Sequence, residues 1–527
     1  MMKKLVSILL ALAMILAMST TVFAAEDEKV TLTITGATGH TYALYQIFTG
    51  DVSKEGDKDV LSNVKYGEHY HPDGLMGAPV PKEVLETIVN SDDPEDLLDI
   101  ALRESAVVKT PSENESSVVF DNLDPGYYLI KDISPTLPDG QTKAPIMLQV
   151  LESTTIASKH ASIVSKKQVY DVNDSGLDPA GEGWFDAADH DIGDDVPFQL
   201  SVTIPSTYST YEDYTLTFHD MLSAGFDAPD NAVDFTVYIL KADNVTKIEI
   251  PQANGGASGF TYHRGCSKTD TCEFEGRCSF NVTIGDLNDL YGTYTFAEGD
   301  KLIVEYTAKL NSNAHIGKDS NQAHNENGMY VCHPDGHTPK DYVRVLTYEL
   351  TLNKIDGADQ QPLTGAGFTL YKMDKDGNYN PVAVGENTEG APIFELSGSG
   401  MTTFTWTGID GGQYKLVETT VPAGYNSLAD IEFIVDATHA TNWEKGTNAA
   451  FYNLIAKDTA GKTIFADQDA NGLEDGILEG NVENHKGTVL PETGAEGTFF
   501  LITGSTLLVM VAAVFMITRK KMSIYED

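Results

Sequence analysis

The residues whose order points most directly to chemistry lie near the C-terminal end: Leu490-Pro491-Glu492-Thr493-Gly494. Thr498 to Thr518 follow without one charged residue, and then come Arg519, Lys520 and Lys521. At about 1.5 Å per residue, an apolar helix of that length just spans the hydrocarbon core of a bilayer. The basic cluster would stay on the cytoplasmic side. Little else in the chain offers reaction chemistry. No nucleophile elbow, paired metal ligands or phosphate loop occurs, so neither an enzyme nor a cofactor or metal centre is expected. Asp467-Gln468-Asp469-Ala470-Asn471-Gly472 has the first half of a calcium loop, yet Leu478 stands where the bidentate glutamate belongs. It reads as a turn, with calcium binding as the alternative.

A pentapeptide of the LPxTG type, an apolar span and a short basic tail, in that order, resemble a sortase cell-wall sorting signal. The resemblance implies that a sortase thiol cuts between Thr493 and Gly494 and passes the Thr493 carbonyl to an amine. The other end agrees with export. Lys3 and Lys4 form a charged n-region, Leu5 to Met18 an apolar stretch, and Val22-Phe23-Ala24 a small-residue cleavage site. Residues 1–25 therefore read as a signal peptide, cut after Ala24 or Ala25. Roughly residues 26 to 487 remain as an extracellular region, long enough for about three domains.

The formal charge of −43 excludes nucleic acid and anionic lipid as partners and describes a soluble surface. The four cysteines, Cys266, Cys272, Cys278 and Cys332, lack the close pairs of a zinc site and read as two disulfides pinning an inserted loop. Four cysteines allow three pairings.

The segments that must carry these residues read as β almost throughout. Val30 to Thr35, Phe198 to Ile204 and Thr403 to Trp406 alternate apolar residues with Thr, Ser or Gln, and turn residues separate them. One helix is expected from Pro81 to Val89, with a second piece from Pro94 to Glu104. An internal repeat sets the boundaries. Leu123 to Asp132 resembles Ile409 to Glu418, and Tyr42-Ala-Leu-Tyr45 echoes Phe368-Thr-Leu-Tyr371. The first and third domains thus share a fold around a different middle domain, with cuts near residues 158 and 346.

Tyr414-Lys-Leu-Val-Glu418-Thr-Thr-Val-Pro422-Ala-Gly424-Tyr425 resembles the E-box of Gram-positive pilins and collagen-adhesin B-type domains. Leu352-Asn-Lys354-Ile-Asp opens that domain and Val482-Glu-Asn484-His-Lys closes it. By motif position the resemblance implies an intramolecular isopeptide bond between Lys354 and Asn484, promoted by Glu418. The residue types suit the task. Burial favours a neutral amine and a protonated carboxyl, which can polarise an amide and shuttle protons as ammonia leaves. The middle domain is similar to fimbrial domains of the collagen-adhesin A type, on Val164-Ser-Lys166-Lys167, Tyr214 to Asp220 and Asn321-Gln-Ala323. Carried over, Lys166 attacks Asn321 with Asp220 as the acid. A one-residue error would substitute Lys167, and Asn325 stands behind Asn321.

In the first domain Asp132 takes the place of Glu418, but no lysine lies within Val30 to Thr35, so no isopeptide is expected unless Lys29 reaches in. Between the first two domains runs Thr155-Ile-Ala-Ser-Lys159-His160-Ala-Ser. Lys159 occupies the place of the pilin polymerisation lysine, although Ala157 and Ser158 replace the family's Tyr and Pro.

These motifs resemble those of LPxTG fimbrial (pilus) backbone subunits with isopeptide-forming domains. The expected fold is mostly β: tandem immunoglobulin-like or transthyretin-like sandwiches plus a C-terminal transmembrane helix. The expected domains are residues 26–158, 159–345 and 346–487, with the sorting signal in 488–527. The implied protein is a wall-anchored, sortase-assembled shaft subunit. Its partners are sortases, copies of itself and peptidoglycan, with other pilins and host surface ligands as further ones. The alternative is an adhesin or minor pilin displayed as a monomer.

Overall fold

In the computed structural model, the described residues are 29–487 and 510–516. Within the first range, 56–57, 72–74, 86–105, 113–114, 173–180, 254–258, 266–277, 291–292, 295, 298, 317–324, 440, 444–452 and 468–475 are excepted. Most of these residues are in strands, and four hydrophobic clusters pack between the sheets. The chain residues that follow one another in sequence mostly pair as antiparallel neighbours, as alternating segments with turn residues between them require.

In residues 30–157, β1 (Val30–Thr35) pairs antiparallel with β3 (Ser117–Leu123) and parallel with β6 (Thr154–Ala157). The facing sheet is built on β2 (Tyr42–Glu55) and β4 (Gly126–Asp132). Leu32, Ile34, Leu44, Phe120, Tyr128 and Ile130 fill the space between them. Residues 82–85 are helical. The rest of the two expected helical pieces lies outside the described residues.

The segment around Lys159 was expected to be a linker, and it differs. β6 runs to Ala157, Ser158 and Lys159 make a short break, and β7 (His160–Ser162) pairs with β5 (Gln141–Lys143). Both halves gain ladder hydrogen bonds, which a polar composition did not advertise. The core changes between Ile156, packed on the first cluster, and Ile163, which belongs to the second.

From 165 to 346, two seven-stranded sheets enclose the largest cluster. One contains β8 (Ser165–Asp171), β9 (Asp195–Thr203) and β11 (Lys301–Leu310); the other contains β10 (Leu216–Met221), β12 (Glu326–His333) and β13 (Asp341–Leu346). From 348 to 484, one ten-stranded sheet curls over its own core. It runs from β15 (Gly367–Met373) through β17 (Gly412–Thr420) to β18 (Ile477–Asn484), β14 (Tyr348–Asp356) and β16 (Thr403–Ile409). The curl brings its ends together: Phe368 and Phe404 meet edge to face at 5.0 Å.

Residues 510–516 are helical. Among the described residues no helix is long and apolar enough to cross a membrane. The expected span, the signal peptide and the LPETG pentapeptide lie largely or wholly outside the described residues.

Candidate functional site

Strand parity decides which lysine of the middle domain is internal. Along β8, Lys167, Val169 and Asp171 face inward and Lys166 is exposed. Val169 belongs to the core, so every second residue from it shares its side. Lys166 instead makes a surface ion pair with Asp186 at 3.1 Å. Lys166, the expected residue, is thus at the surface, and Lys167, the one-residue shift that an alternating strand permits, is inside.

Lys167 crosses from one sheet to the other. Its Nζ donates to Asp220 Oδ2 at 2.5 Å, to Tyr306 Oη at 3.2 Å and to the Gly328 carbonyl at 3.4 Å. Tyr306 Oη also donates to Asp220 Oδ2 at 2.9 Å. Both Lys167 and Asp220 have no exposed surface, and the Phe198 ring lies 5.0 Å from the amine. Burial lowers the affinity of Lys167 for its proton and raises that of the Asp220 carboxyl. The two shifts move both groups toward a neutral amine and a neutral acid, against the mutual attraction of the charged pair. Asp220 Oδ1 has no hydrogen-bond partner among the described residues.

Asn321, the expected electrophile, lies outside the described residues. Asn325 is buried but fully engaged, accepting from His315 N and donating to the His315 and Val345 carbonyls. Asn327, which sequence reasoning did not single out, is engaged as well: its Oδ1 accepts from Ser223 N at 2.9 Å and its Nδ2 donates to the Asn325 carbonyl at 2.7 Å. It is fully buried in β12, next to the Gly328 carbonyl that Lys167 reaches. Met329 pairs with Asp220, so Asn327, two residues away, shares the Asp220 face of the sheet. Tyr306 was missed as well. The available signal was parity: Tyr306 alternates with the core residues Leu302, Val304 and Ala308.

In the third domain, β14 and β18 run parallel, with Lys354 opposite Val482 and Asp356 opposite Asn484. Lys354 has the parity of Leu350 and Leu352, and Asn484 that of Leu478 and Val482. Lys354 and Asn484 are both fully buried. Lys354 Nζ donates to the Val482 carbonyl at 2.8 Å. Asn484 Nδ2 donates to Glu418 Oε2 at 3.2 Å and to the Asn426 carbonyl at 2.9 Å. Glu418 also accepts from Leu428 N at 3.0 Å. Glu418 thus meets the nitrogen end of the Asn484 amide. Asn484 Oδ1 and Glu418 Oε1 lack partners among the described residues. Burial lowers Lys354 to about 8, with the Glu418 charge opposing.

The first domain has a different arrangement at the same place. Asp132 Oδ2 bonds His40 Nδ1 at 2.6 Å, and Lys29 pairs with Asp124 on the surface. Cys278 and Cys332 are disulfide-bonded; Cys266 and Cys272 lie outside the described residues. Lys159 is exposed, and its carbonyl accepts from Ala144 N at 3.1 Å. The half calcium loop falls mostly outside the described residues. Two other groups of ligand-type side chains gather where the second and third domains meet: Asp171, Asp189 and His439, and Asp191, Asp194 and Asp410. Lys372 pairs with Asp191 and Asp410 of the latter.

Comparison with known proteins adds two family matches. Residues 348–448 match SpaA, a prealbumin-like fold domain, and residues 482–523 match the LPXTG cell wall anchor motif. The trypsin-resistant surface T6 protein of Streptococcus pyogenes serotype M6 is 22% identical over 277 residues, which is 41% of this chain and 48% of that protein. The chain thus matches about half the length of this curated relative. Among solved structures, the T6 backbone pilin of S. pyogenes is 17% identical with a TM-score of 0.49, covering 88% of this chain and 100% of that one. The full-length major pilin SpaD of Corynebacterium diphtheriae is 16% identical with a TM-score of 0.47, covering 89% and 100%.

Proposed function

We propose that this chain is the shaft subunit of a sortase-assembled pilus on the wall of a Gram-positive bacterium, stiffened by two internal Lys–Asn isopeptide bonds. The supporting observation is the pair of lysine, acid and asparagine sets, one in each of two domains, in which both lysines, both asparagines and Asp220 are buried and Glu418 is half-buried, upstream of a wall anchor match. A buried lysine without a covalent or ionic role costs stability, so two of them beside acids and amides call for one. The name of the curated relative, a trypsin-resistant surface protein, agrees with internal cross-links.

In the third domain, Lys354 Nζ adds to the side-chain carbonyl carbon of Asn484. The new C–N bond forms as the bond to Nδ2 breaks. Glu418, already against Nδ2, passes the proton lost by the amine to that nitrogen, and ammonia leaves. Folding supplies the proximity. In the middle domain Lys167 plays the same part with Asp220 as acid, and Asn327 is the electrophile. The signal peptide is 1–25, the three domains 26–158, 159–345 and 346–487, and the sorting signal 488–527. Sortase takes Thr493 and delivers it to Lys159 of the next subunit, or to peptidoglycan at the base.

Immunoblots of wall extracts test this. Wild type yields a high-mass ladder, Lys159→Ala leaves wall-linked monomer, and Thr493→Ala loses both. A wild type without a ladder, in cells holding its own sortases, supports the monomeric adhesin instead. Neither outcome involves catalytic turnover by this chain, since each isopeptide forms once.

A further inference from the structure

The exposed Lys159 sits between two residues that are held unusually well. Ser158 N donates to the Thr35 carbonyl at 2.9 Å, and Ser158 Oγ donates to the Gly36 carbonyl at 3.0 Å. Gly36 has φ of +72°, and a Cβ there would stand 3.0 Å from Ser158 Oγ, so a glycine lets the segment lie close. On the other side, the His160 ring stacks on His40 at 4.8 Å with 13° between the planes, and its Nδ1 lies 3.0 Å from Ser158 Oγ. His40 is buried and held at both nitrogens, by Asp132 Oδ2 at 2.6 Å and Gln141 Oε1 at 2.7 Å. Both contacts raise the affinity of His40 for its proton against the opposing effect of burial, the Asp132 hydrogen bond most of all. Asp132 in turn accepts from Ser134 N at 3.0 Å.

We propose that His40, Asp132, Ser158 and His160 form a clasp that holds the Ser158–His160 segment on the first domain and so positions Lys159 as the acceptor amine. This rests on the reading of Lys159 as acceptor. The clasp residues are positioning residues, because none of them reacts. The clasp also explains why Asp132, at the place of the E-box glutamate, faces a histidine in a domain without an internal lysine: its carboxylate orders the platform. A lysine side chain is long and loses much rotamer freedom when gripped. Fixing the backbone on both sides instead leaves the amine solvated while its Cα stays in one place for the approaching thioester.

The clasp has a pH window. Facing His40 are Asp132, His160, Gln141 and, at 6.1 Å between rings, Tyr42; facing His160 are His40, Ser158 and Asp132. The Asp132 hydrogen bond raises His40 above 6.5, while burial and then the His40 charge lower His160 below it. A raised histidine contributes its stabilisation at low pH and loses it as pH rises through its folded value. A lowered one contributes above 6.5 and loses it as pH falls toward its folded value. The clasp is therefore tightest in a band around 6.5, with a neutral ring stacked on a charged one, and below the band two like charges face each other.

The test uses full-length protein in cells with its own sortases, reading the ladder against wall-linked monomer at a series of external pH values. His160→Ala lowers the ladder on the order of 10- to 100-fold while monomer anchoring and protease resistance stay as in wild type. His160→Phe keeps an aromatic plane over His40, restores the ladder, and removes the loss at low pH. A His160→Ala ladder equal to wild type, or a Phe variant that fails to restore it, overturns the clasp, provided Lys159→Ala abolishes the ladder. A ladder that persists in Lys159→Ala overturns the acceptor assignment instead. The His160 pair carries the decision because His40 is buried, and its removal would disturb folding as well as the segment.

Discussion

Lys167 and Asp220 lie on opposite sheets of the middle domain and meet at 2.5 Å with no exposed surface on either side chain. Burial drives both toward their uncharged forms. A plain salt bridge in this position would offer weak stabilisation, since desolvation offsets the Coulomb attraction. The proposed amide exchange gives the pair a different role, since it needs the amine and the acid in the uncharged forms that burial favours.

Mature ectodomain should weigh less than its sequence by two ammonia losses, about 17 Da each, beyond the hydrogens lost to disulfides. Lys167→Ala and Lys354→Ala should each restore one, and Lys166→Ala neither. Intact-mass spectrometry after reduction decides this, and a mass equal to the unmodified sequence rejects both bonds. Restoration by Lys166→Ala rather than Lys167→Ala would reject the strand parity argument.

Asn327→Ala should restore the middle-domain ammonia, while Asn325→Ala and Asn321→Ala should not. Tandem mass spectrometry of tryptic digests should find one branched peptide joining Lys167 to Asn327. A branch at Asn321 would move the electrophile upstream of β12.

The proposed Lys167–Asn327 bond would close a loop of about 160 residues, worth about 5 kcal/mol in the chain-entropy model. Asp220→Ala should then lower the melting temperature of the middle domain by roughly 10–20 °C and open it to trypsin. Differential scanning calorimetry measures the first and limited proteolysis the second. Unchanged melting would mean that no bond forms or that the core alone suffices.

The cross-link also removes a titration. In Asn484→Ala, Lys354 stays a free amine whose folded pKa is lowered to about 8 from 10.5. Between those values the unfolded chain binds more protons, so stability rises with pH across the window of about 8 to 10.5. With the proposed bond in place, wild-type Lys354 is an amide and adds no such slope. Urea midpoints at pH 8 and pH 10 should therefore diverge between the two proteins. Parallel midpoints would argue that Lys354 is free in wild type.

Gly408 should be needed where the second and third domains meet. Its φ is +79°, and a Cβ there would lie 2.4 Å from Ile192 Cδ1, while Ile192 N donates to the Gly408 carbonyl at 2.8 Å. Gly408→Ala combines a strained conformation with a clash, costing about 1–3 kcal/mol. Small-angle scattering should show a looser arrangement of the two domains, with both isopeptide masses intact.

Much of the molecule was legible in the chain alone. The order of LPETG, apolar run and basic residues sufficed for the anchor because it depends on local composition. Alternation in Leu350, Leu352 and Lys354 was enough to put Lys354 inside, since a strand has a period of two. Glu418 and Asn484 were singled out by motif position in the E-box resemblance, and which end of the amide faces the acid was not. The Lys166–Lys167 choice needed the tertiary structure. Both lie beside each other in one polar stretch, and only the packing of Val169 against the second sheet settles which face is the core. Tyr306 and the Gly328 carbonyl meet Lys167 across 139 and 161 residues, a proximity that no local pattern encodes. The clasp was hidden for the same reason. His40, Asp132 and His160 are polar residues scattered along the chain, and a buried hydrogen-bonded pair under a stacked ring exists only once the fold brings them together.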